Sequence, residues 1–165
     1  MPNQDFPALN SMAPSWADVA VTISVHDGTV VETADIQGVK WSRKVEVGEV
    51  RGTSGGRLMK RTRGSASCEA SATFYKEGYR KLIKALIAKA PSRGNQRPIS
   101  TVGFDVTIQY TPIGEDEIYE TRIKGCRLLG DSEDGKEGQD ANMVEVTLNP
   151  IEIVEMIDGE EIVLL

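Results

Sequence analysis

A mainly β fold, a sandwich or barrel of about seven or eight strands with one amphipathic helix packed on it, follows from three observations. Several separate segments alternate apolar and polar residues at period two, the mark of half-buried strands. A single run, KEGYRKLIKALIAKA, sets its apolar residues at helical spacing. The 165 residues are 39% hydrophobic and 27% charged, enough for one ordinary domain with a real core and too apolar for a disordered chain.

Three regions are expected: an N-terminal arm over 1–18, a β domain over 19–157 and a tail over 158–165. The arm, MPNQDFPALNSMAPSWAD, has Pro2, Pro7 and Pro14 to break any helix. It lacks the basic start and apolar centre of a signal peptide. No apolar run reaches the roughly 18–20 residues of a membrane span, so a chain made and kept in the cytoplasm is expected.

The first strand places Val19, Val21, Ile23 and Val25 on one face, with Thr22, Ser24 and His26 opposite. HDG (His26 to Gly28) is a turn signal. A second strand carries Val39, Trp41, Val45 and Val47, interrupted on the same face by Arg43. Residues 48–64, GEVRGTSGGRLMKRTRG, are too polar and glycine-rich to form a core and read as an extended loop.

The strand SASCEASATFY turns Cys68, Ala70, Ala72 and Phe74 one way, and Glu69, Ser71, Thr73 and Tyr75 the other. The helix, over 77–90, follows with an apolar stripe of Tyr79, Leu82, Ile83, Leu86, Ile87 and Ala90. Val102, Phe104, Val106, Ile108 and Tyr110 alternate in TVGFDVTIQYTP. Pro112 and Gly114 then turn the chain into EIYETRIKGCRLLG, so the pair reads as a hairpin. The acidic, aperiodic DSEDGKEGQD, from Asp131 to Asp140, reads as an exposed loop. NMVEVTLNP carries Val144, Val146 and Leu148, and the terminal IEIVEMIDGEEIVLL allows one or two further short strands around Asp158 and Gly159.

Catalytic constellations are missing. His26 is the sole histidine, and beside a turn it reads as a structural residue rather than a general base. GTSGG at residues 52–56 has GxSxG spacing, but the RLMKR that follows opens no helix and so makes no nucleophile elbow, and there is no HExxH. The glycines at 52, 55 and 56 do not meet the GxxxxGK[ST] pattern of a phosphate loop. Glu115, Asp116 and Glu117 lack calcium-loop spacing. Cys68 and Cys126 lie in separate strands without CxxC spacing, which suits free core thiols better than a disulfide or a zinc site. The expectation is a chain without enzymatic activity, cofactor or metal.

The net charge of −6 conceals segregation. Residues 38–97 carry +11, residues 98–165 carry −12, and residues 1–37 carry −5. A basic middle between acidic flanks suits head-to-tail self-association through complementary patches; solvated faces are the plainer alternative. Arg51, Arg57, Lys60, Arg61 and Arg63 of the 48–64 loop could also track a nucleic-acid backbone. Aromatic residues are only 5% of the chain, and none interleave with that basic run to stack on bases.

The order of elements resembles the tail tube proteins of bacteriophages, particularly of contractile-tailed phages and prophage particles. The residues that carry the resemblance are VKWSRKVEVGEVRG, GGRLMKRTRG, the SATFYKEGYRKLIKALI run, and the later TVGFDVTIQYTP…EIYETRIKGCRLLG and NMVEVTLNPIEI segments, together spanning about 19–155. The family implies a virion structural subunit, made in the host cytoplasm and placed in the tail. It implies hexameric rings stacked into a hollow tube, through which the genome passes without specific binding. It also implies sheath, tape-measure and baseplate or terminator proteins as partners.

Carried onto this chain, the 48–64 loop with Arg51, Arg57, Lys60, Arg61 and Arg63 becomes the ring interface. Asp105, Thr107, Gln109, Glu145 and Thr147 become lumen candidates, and the helix residues Arg80, Lys81 and Lys84 an outer face for a sheath. A type VI secretion-like tube or a tube-end adaptor is the sibling reading. A soluble β-barrel module gripping nucleic acid through 51–63 is the alternative of another class.

Overall fold

The computed structural model describes residues 19–25, 28–52, 55–56, 58–62, 64–111, 118–133, 135 and 142–164. These form eleven strands and one α-helix. In chain order they are β1 (Val19–Val25), β2 (Gly28–Glu32), β3 (Ile36–Val45), β4 (Gly48–Arg51), β5 (Leu58–Thr62) and β6 (Ala66–Tyr75). After them come α1 (Lys76–Lys89), β7 (Phe104–Tyr110), β8 (Tyr119–Glu133), β9 (Met143–Asn149), β10 (Glu152–Ile157) and β11 (Glu160–Val163).

All pairings are antiparallel. One sheet runs β2-β1-β7-β8-β10-β11 and a second runs β8-β9-β6-β3, with β8 common to both. Their inner faces meet in a single core. The first sheet contributes Val21, Ile23, Val106, Ile123 and Ile153; the second contributes Ala72, Phe74, Val144, Val146 and Leu148. The period-two alternation of the sequence is thus the inside–outside alternation of a sandwich.

The sharing of β8 depends on a local break. Residues Glu120 to Lys124 pair with β10, and Tyr119 to Cys126 pair with β7. Residues Arg127 to Glu133 pair instead with β9. Between the halves sits Gly125 at φ +63°, left-handed backbone within a strand. Its amide donates to Asp105 Oδ1 at 2.8 Å, and a Cβ there would meet the Ile151 side chain at 2.5 Å. Glycine is demanded twice, by backbone conformation and by space.

The helix covers one end of the sandwich, against β2, β6 and β9. Leu82 and Leu86 are fully buried and Ala90 nearly so. Gly78 lets the first turn lie on the short 3-10 turn at Thr33–Asp35, where a Cβ would come 2.5 Å from Asp35 Cβ. Ala90 is extended, as the residue before Pro91 must be, and the helix ends there. Lys81 grips both Asp35 oxygens at 2.9 Å, Lys76 pairs with Glu133, and Tyr79 donates to Asp131. Each buried leucine stabilises by roughly 1.5–3 kcal/mol, against about 0–1 for an exposed ion pair. The leucines hold the helix; the polar contacts fix its angle.

Four expectations need correction. Residues 48–64 contain the strands β4 and β5, joined in a separate two-stranded ribbon; β4 is exposed along its whole length, so no hydrophobic period announced it. Asp131 to Glu133 are not loop but the end of β8 on β9, exposed and acidic and therefore silent in the pattern. Val45 and Val47 are 37% and 51% exposed, outside the core, and β3 ends at Val45. Ile87 is 40% exposed, because the buried stripe narrows to Gly78, Leu82, Leu86 and Ala90. The helix begins at Lys76 and its last residue is Lys89.

The arm 1–18, His26, Pro112, Gly114 and the cluster Glu115 to Glu117 lie outside the described residues.

Replacing Gly125 by alanine should cost about 1–3 kcal/mol from left-handed strain and overpacking, read as a lowered urea midpoint with unchanged slope.

Candidate functional site

Three surfaces stand out on the described residues. The ribbon is the first. Its base is closed by Glu46 N–H on the Ser65 carbonyl at 3.1 Å and by Thr62 Oγ1 on the Gly48 carbonyl at 3.1 Å. Arg61 stands opposite Glu49, and Lys60 opposite Val50. Arg51 meets Glu49 at 3.3 Å, an exposed pair of little energy. Arg57 and Arg63 lie outside the described residues. A lone two-stranded ribbon is marginal in water; Val50 on it and Val47 just before it are about half exposed. The ribbon thus stands apart from the core with little apolar support.

The second surface is the rim of the second sheet. Among the described residues β3 has no strand on its outer edge, and the half of β8 from Arg127 to Glu133 has none on the side away from β9. Such edges are templates for pairing. Lys40, Arg43 and Lys44 on β3 discourage nonspecific pairing while leaving the backbone free.

The third comprises the outward faces of the two sheets, which differ. On the first sheet, Gln109 Nε2 donates to Glu120 at 2.8 Å, Arg122 bridges Glu120 and Glu161, and Lys124 also reaches Glu161. The hydrogen bond from Lys124 holds the Glu161 carboxyl below its usual range, and that to Glu120 raises Arg122. The outward face of the second sheet is instead short and hydroxylated: Ser71, Thr73 and Thr147, with Lys40, Glu69 and Glu145.

Asp105, Thr107 and Gln109 belong to the first face, and Glu145 and Thr147 to the second. Because the inner faces share one core, the outer faces look away from each other. The five residues therefore form two groups, and Asp105 is already engaged by Gly125.

On the helix, Lys81 is tied to Asp35, whose hydrogen bond raises its pKa. Arg80 and Lys84 are exposed, without a hydrogen-bond or ion-pair partner among the described residues.

The sequence reading treated Arg43 as an interruption and missed what it does. It reaches from β3 to β10 across the sandwich: Nη2 meets Glu155 Oε1 at 2.5 Å, and Thr121 Oγ1 donates to Glu155 Oε2 at 2.8 Å. Nη1 is buried, and no acceptor among the described residues reaches it. Beside this pair lies an apolar groove of about 360 Å³ between Val19, Val39, Trp41, Ile108, Tyr110 and Tyr119. An arginine in an otherwise apolar stripe was the available signal.

Both cysteines are free thiols. Burial pushes the Cys126 thiol up to about 12. Among the described residues, no three His, Cys, Asp or Glu side chains gather to hold a metal ion, and no helix is long and apolar enough to cross a membrane.

Two antiparallel sheets joined by one strand, an end helix and an exposed ribbon make up the described part of the chain. No protein-family model matches the chain, and no curated protein does. Solved structures do match. A chain of the PVC sheath–tube complex, from an extracellular contractile injection system in the extended state, superposes with TM-score 0.62 at 14% identity, over 94% of this chain and 98% of its own. The tube-terminating cap of the anti-feeding prophage matches with TM-score 0.60 at 12% identity, over 87% and 91%. The SPP1 tail tube matches with TM-score 0.59 at 17% identity, over 89% and 82%. This chain has the fold of the tube proteins of contractile injection systems and phage tails.

Replacing Glu155 by alanine strands the Arg43 guanidinium and should cost about 1–3 kcal/mol in a chemical-denaturation midpoint. Replacing both Arg43 and Glu155 by methionine should recover most of that loss.

The folded Cys126 thiol ionises later than an unfolded one, whose pKa is roughly 8.5. Its contribution to stability is therefore complete below about pH 8.5 and declines as pH rises toward 12. Denaturation midpoints of the native chain should fall over that window more steeply than those of Cys126→Ala.

Proposed function

We propose that this chain is the structural subunit of a phage-type tail tube, assembling into hexameric rings that stack into a hollow conduit for genome ejection. The observation that carries the reading is the match of fold over nearly the whole length to tube proteins. It is supported by a four-stranded sheet that, among the described residues, has a free edge at each end. Pairing β3 of one copy with the Arg127 to Glu133 half of β8 in the next would satisfy both edges and, repeated around a ring, close the sheets into a barrel without edges.

Of the two outward faces, that of the second sheet suits the wall of the conduit. Its serine and threonine side chains present no bulky obstacle, and Glu69 and Glu145 repel a polyanion. In this arrangement Glu145 and Thr147 face the lumen, whereas Asp105, Thr107 and Gln109 face outward, toward the side where a sheath would lie. Arg80 and Lys84 remain candidates for that contact, and the ribbon with Arg51, Lys60 and Arg61 for the contact between rings. Tape-measure, baseplate and terminator proteins are the partners such a tube requires. The reading places the protein in the virion tail and assigns it no catalytic role, cofactor or specific grip on DNA.

A tube-end subunit is the second reading, favoured by the equally good match to a terminating cap. Negative-stain electron microscopy of the purified chain over a range of concentrations separates the cases. Stacked tubes are expected; closed single rings at every concentration indicate the tube end. A persistent monomer with salt-sensitive DNA binding overturns both in favour of a nucleic-acid module. Neutralising Arg51, Arg57, Lys60, Arg61 and Arg63 together should shorten the tubes and make them salt-labile. Unchanged length and salt resistance would remove the ribbon from the stacking contact.

A further inference from the structure

Both edges of the second sheet have little burial to hold them. Beyond Ile36 no residue of β3 is buried, and none is from Leu129 to Glu133 on β8. Among the described residues each edge has a ladder on one side only, and a strand held that way opens easily. Yet each is tied, on its inward side, to the layer opposite. Arg43 shares its face of β3 with Trp41, whose cross-strand partner Ala70 is buried. It crosses the sandwich to Glu155 of β10, which Thr121 of β8 also holds. Asp131 and Glu133 stand opposite the buried Val146 and Val144, and are met by Tyr79 and Lys76 of α1.

We propose that these two clasps hold both edges of the second sheet in strand geometry before a neighbouring copy arrives. Arg43 with Glu155 at β3, and Tyr79 and Lys76 with Asp131 and Glu133 at β8, are then positioning residues for pairing between copies. The assignment rests on the reading that copies pair through these edges. Fixing the backbone is the main cost of ordering a strand, so an edge already ordered by its own subunit leaves less of that cost to the encounter.

The chemistry of the clasps suits that task. Apolar side chains at these places would hold the edges too, but would set an apolar rim beside an unpaired ladder, the combination that invites aggregation. Charges turned inward on an edge strand discourage stray pairing, and blunting alone requires no partner for them. Here each is bound across a layer boundary, over 112, 57 and 52 residues of sequence. The clasps differ in strength. Arg43 and Glu155 are largely buried, with side chains 17% and 24% exposed. Lys76 and Glu133 form an exposed pair, which contributes little alone, and Tyr79 brings its hydroxyl to Asp131 on a ring packed against the core. The β3 edge depends more on its clasp.

The test is hydrogen exchange without denaturant on the full chain, at a concentration where it stays unassembled, followed by the time course of tube formation at higher concentration. In Glu155→Ala, exchange over residues 39–45 should be about tenfold faster than in the parent. In Tyr79→Phe combined with Lys76→Gln, exchange over residues 127–133 should be about threefold faster. The charge swap Arg43→Glu with Glu155→Arg should return residues 39–45 to the parent rate. Tubes should appear later in the first two variants and at the parent's time in the third, with unchanged diameter. Edge exchange equal to the parent's overturns the proposal. A charge swap that exchanges as fast as Glu155→Ala also overturns it, since packing rather than the ion pair then orders β3. Faster edge exchange with an unaltered onset of tube formation overturns the positioning role. A parent that forms no tubes overturns the underlying reading and the proposal with it, a result distinguished from the others because it needs no substitution.

Discussion

One strand serving two sheets is the constraint from which the rest of the architecture follows. β8 gives its first half to one sheet and its second half to the other. The two inner faces are therefore linked covalently, and the core between them forms without a long connection. The left-handed backbone at Gly125, held by Asp105, makes the transfer possible within consecutive residues. A continuous, regular ladder through residue 125 would keep β8 in one sheet and leave β9, β6 and β3 without a fourth strand.

That transfer also decides where the molecule is unfinished. Because β8 leaves the first sheet, its second half has, among the described residues, a partner on one side only, matching the edge of β3 that no described strand pairs. Most small β domains blunt such edges or cover them. Here charge on β3 limits careless association while the backbone stays available. The two outward faces follow the same division of labour: one is laced with interlocked charges, the other is short and hydroxylated.

Most of the sandwich was legible in the sequence because burial imposes a period. β1, β6, β7 and β9 each have one dry face, and Val21, Phe74, Val106 and Val146 mark it without ambiguity. The tail's turn at Asp158 and Gly159, both left-handed, was equally readable. Strands without a dry face were invisible: β4 and the acidic end of β8 are strands by backbone pairing alone. The lumen candidates failed to form one group for a related reason. Alternation tells which residues point away from a core but not which of two opposite surfaces they reach. Arg43 was seen only as a blemish, since its partner Glu155 lies 112 residues away.

In the proposed tube, the ribbon of β4 and β5 as ring contact would bear on how the polymer grows. Its backbone order is poorly supported by the parent domain, so much of the entropy of fixing it is lost at the moment it docks. Two free subunits meeting in solution must both meet that cost before either gains a full contact, whereas an arrival onto an existing ring meets it once against a surface already in place. Growth is then favoured over initiation. Under that proposal the free subunit would wait for a template, and the number of filaments would be set by the number of templates rather than by the concentration of protein.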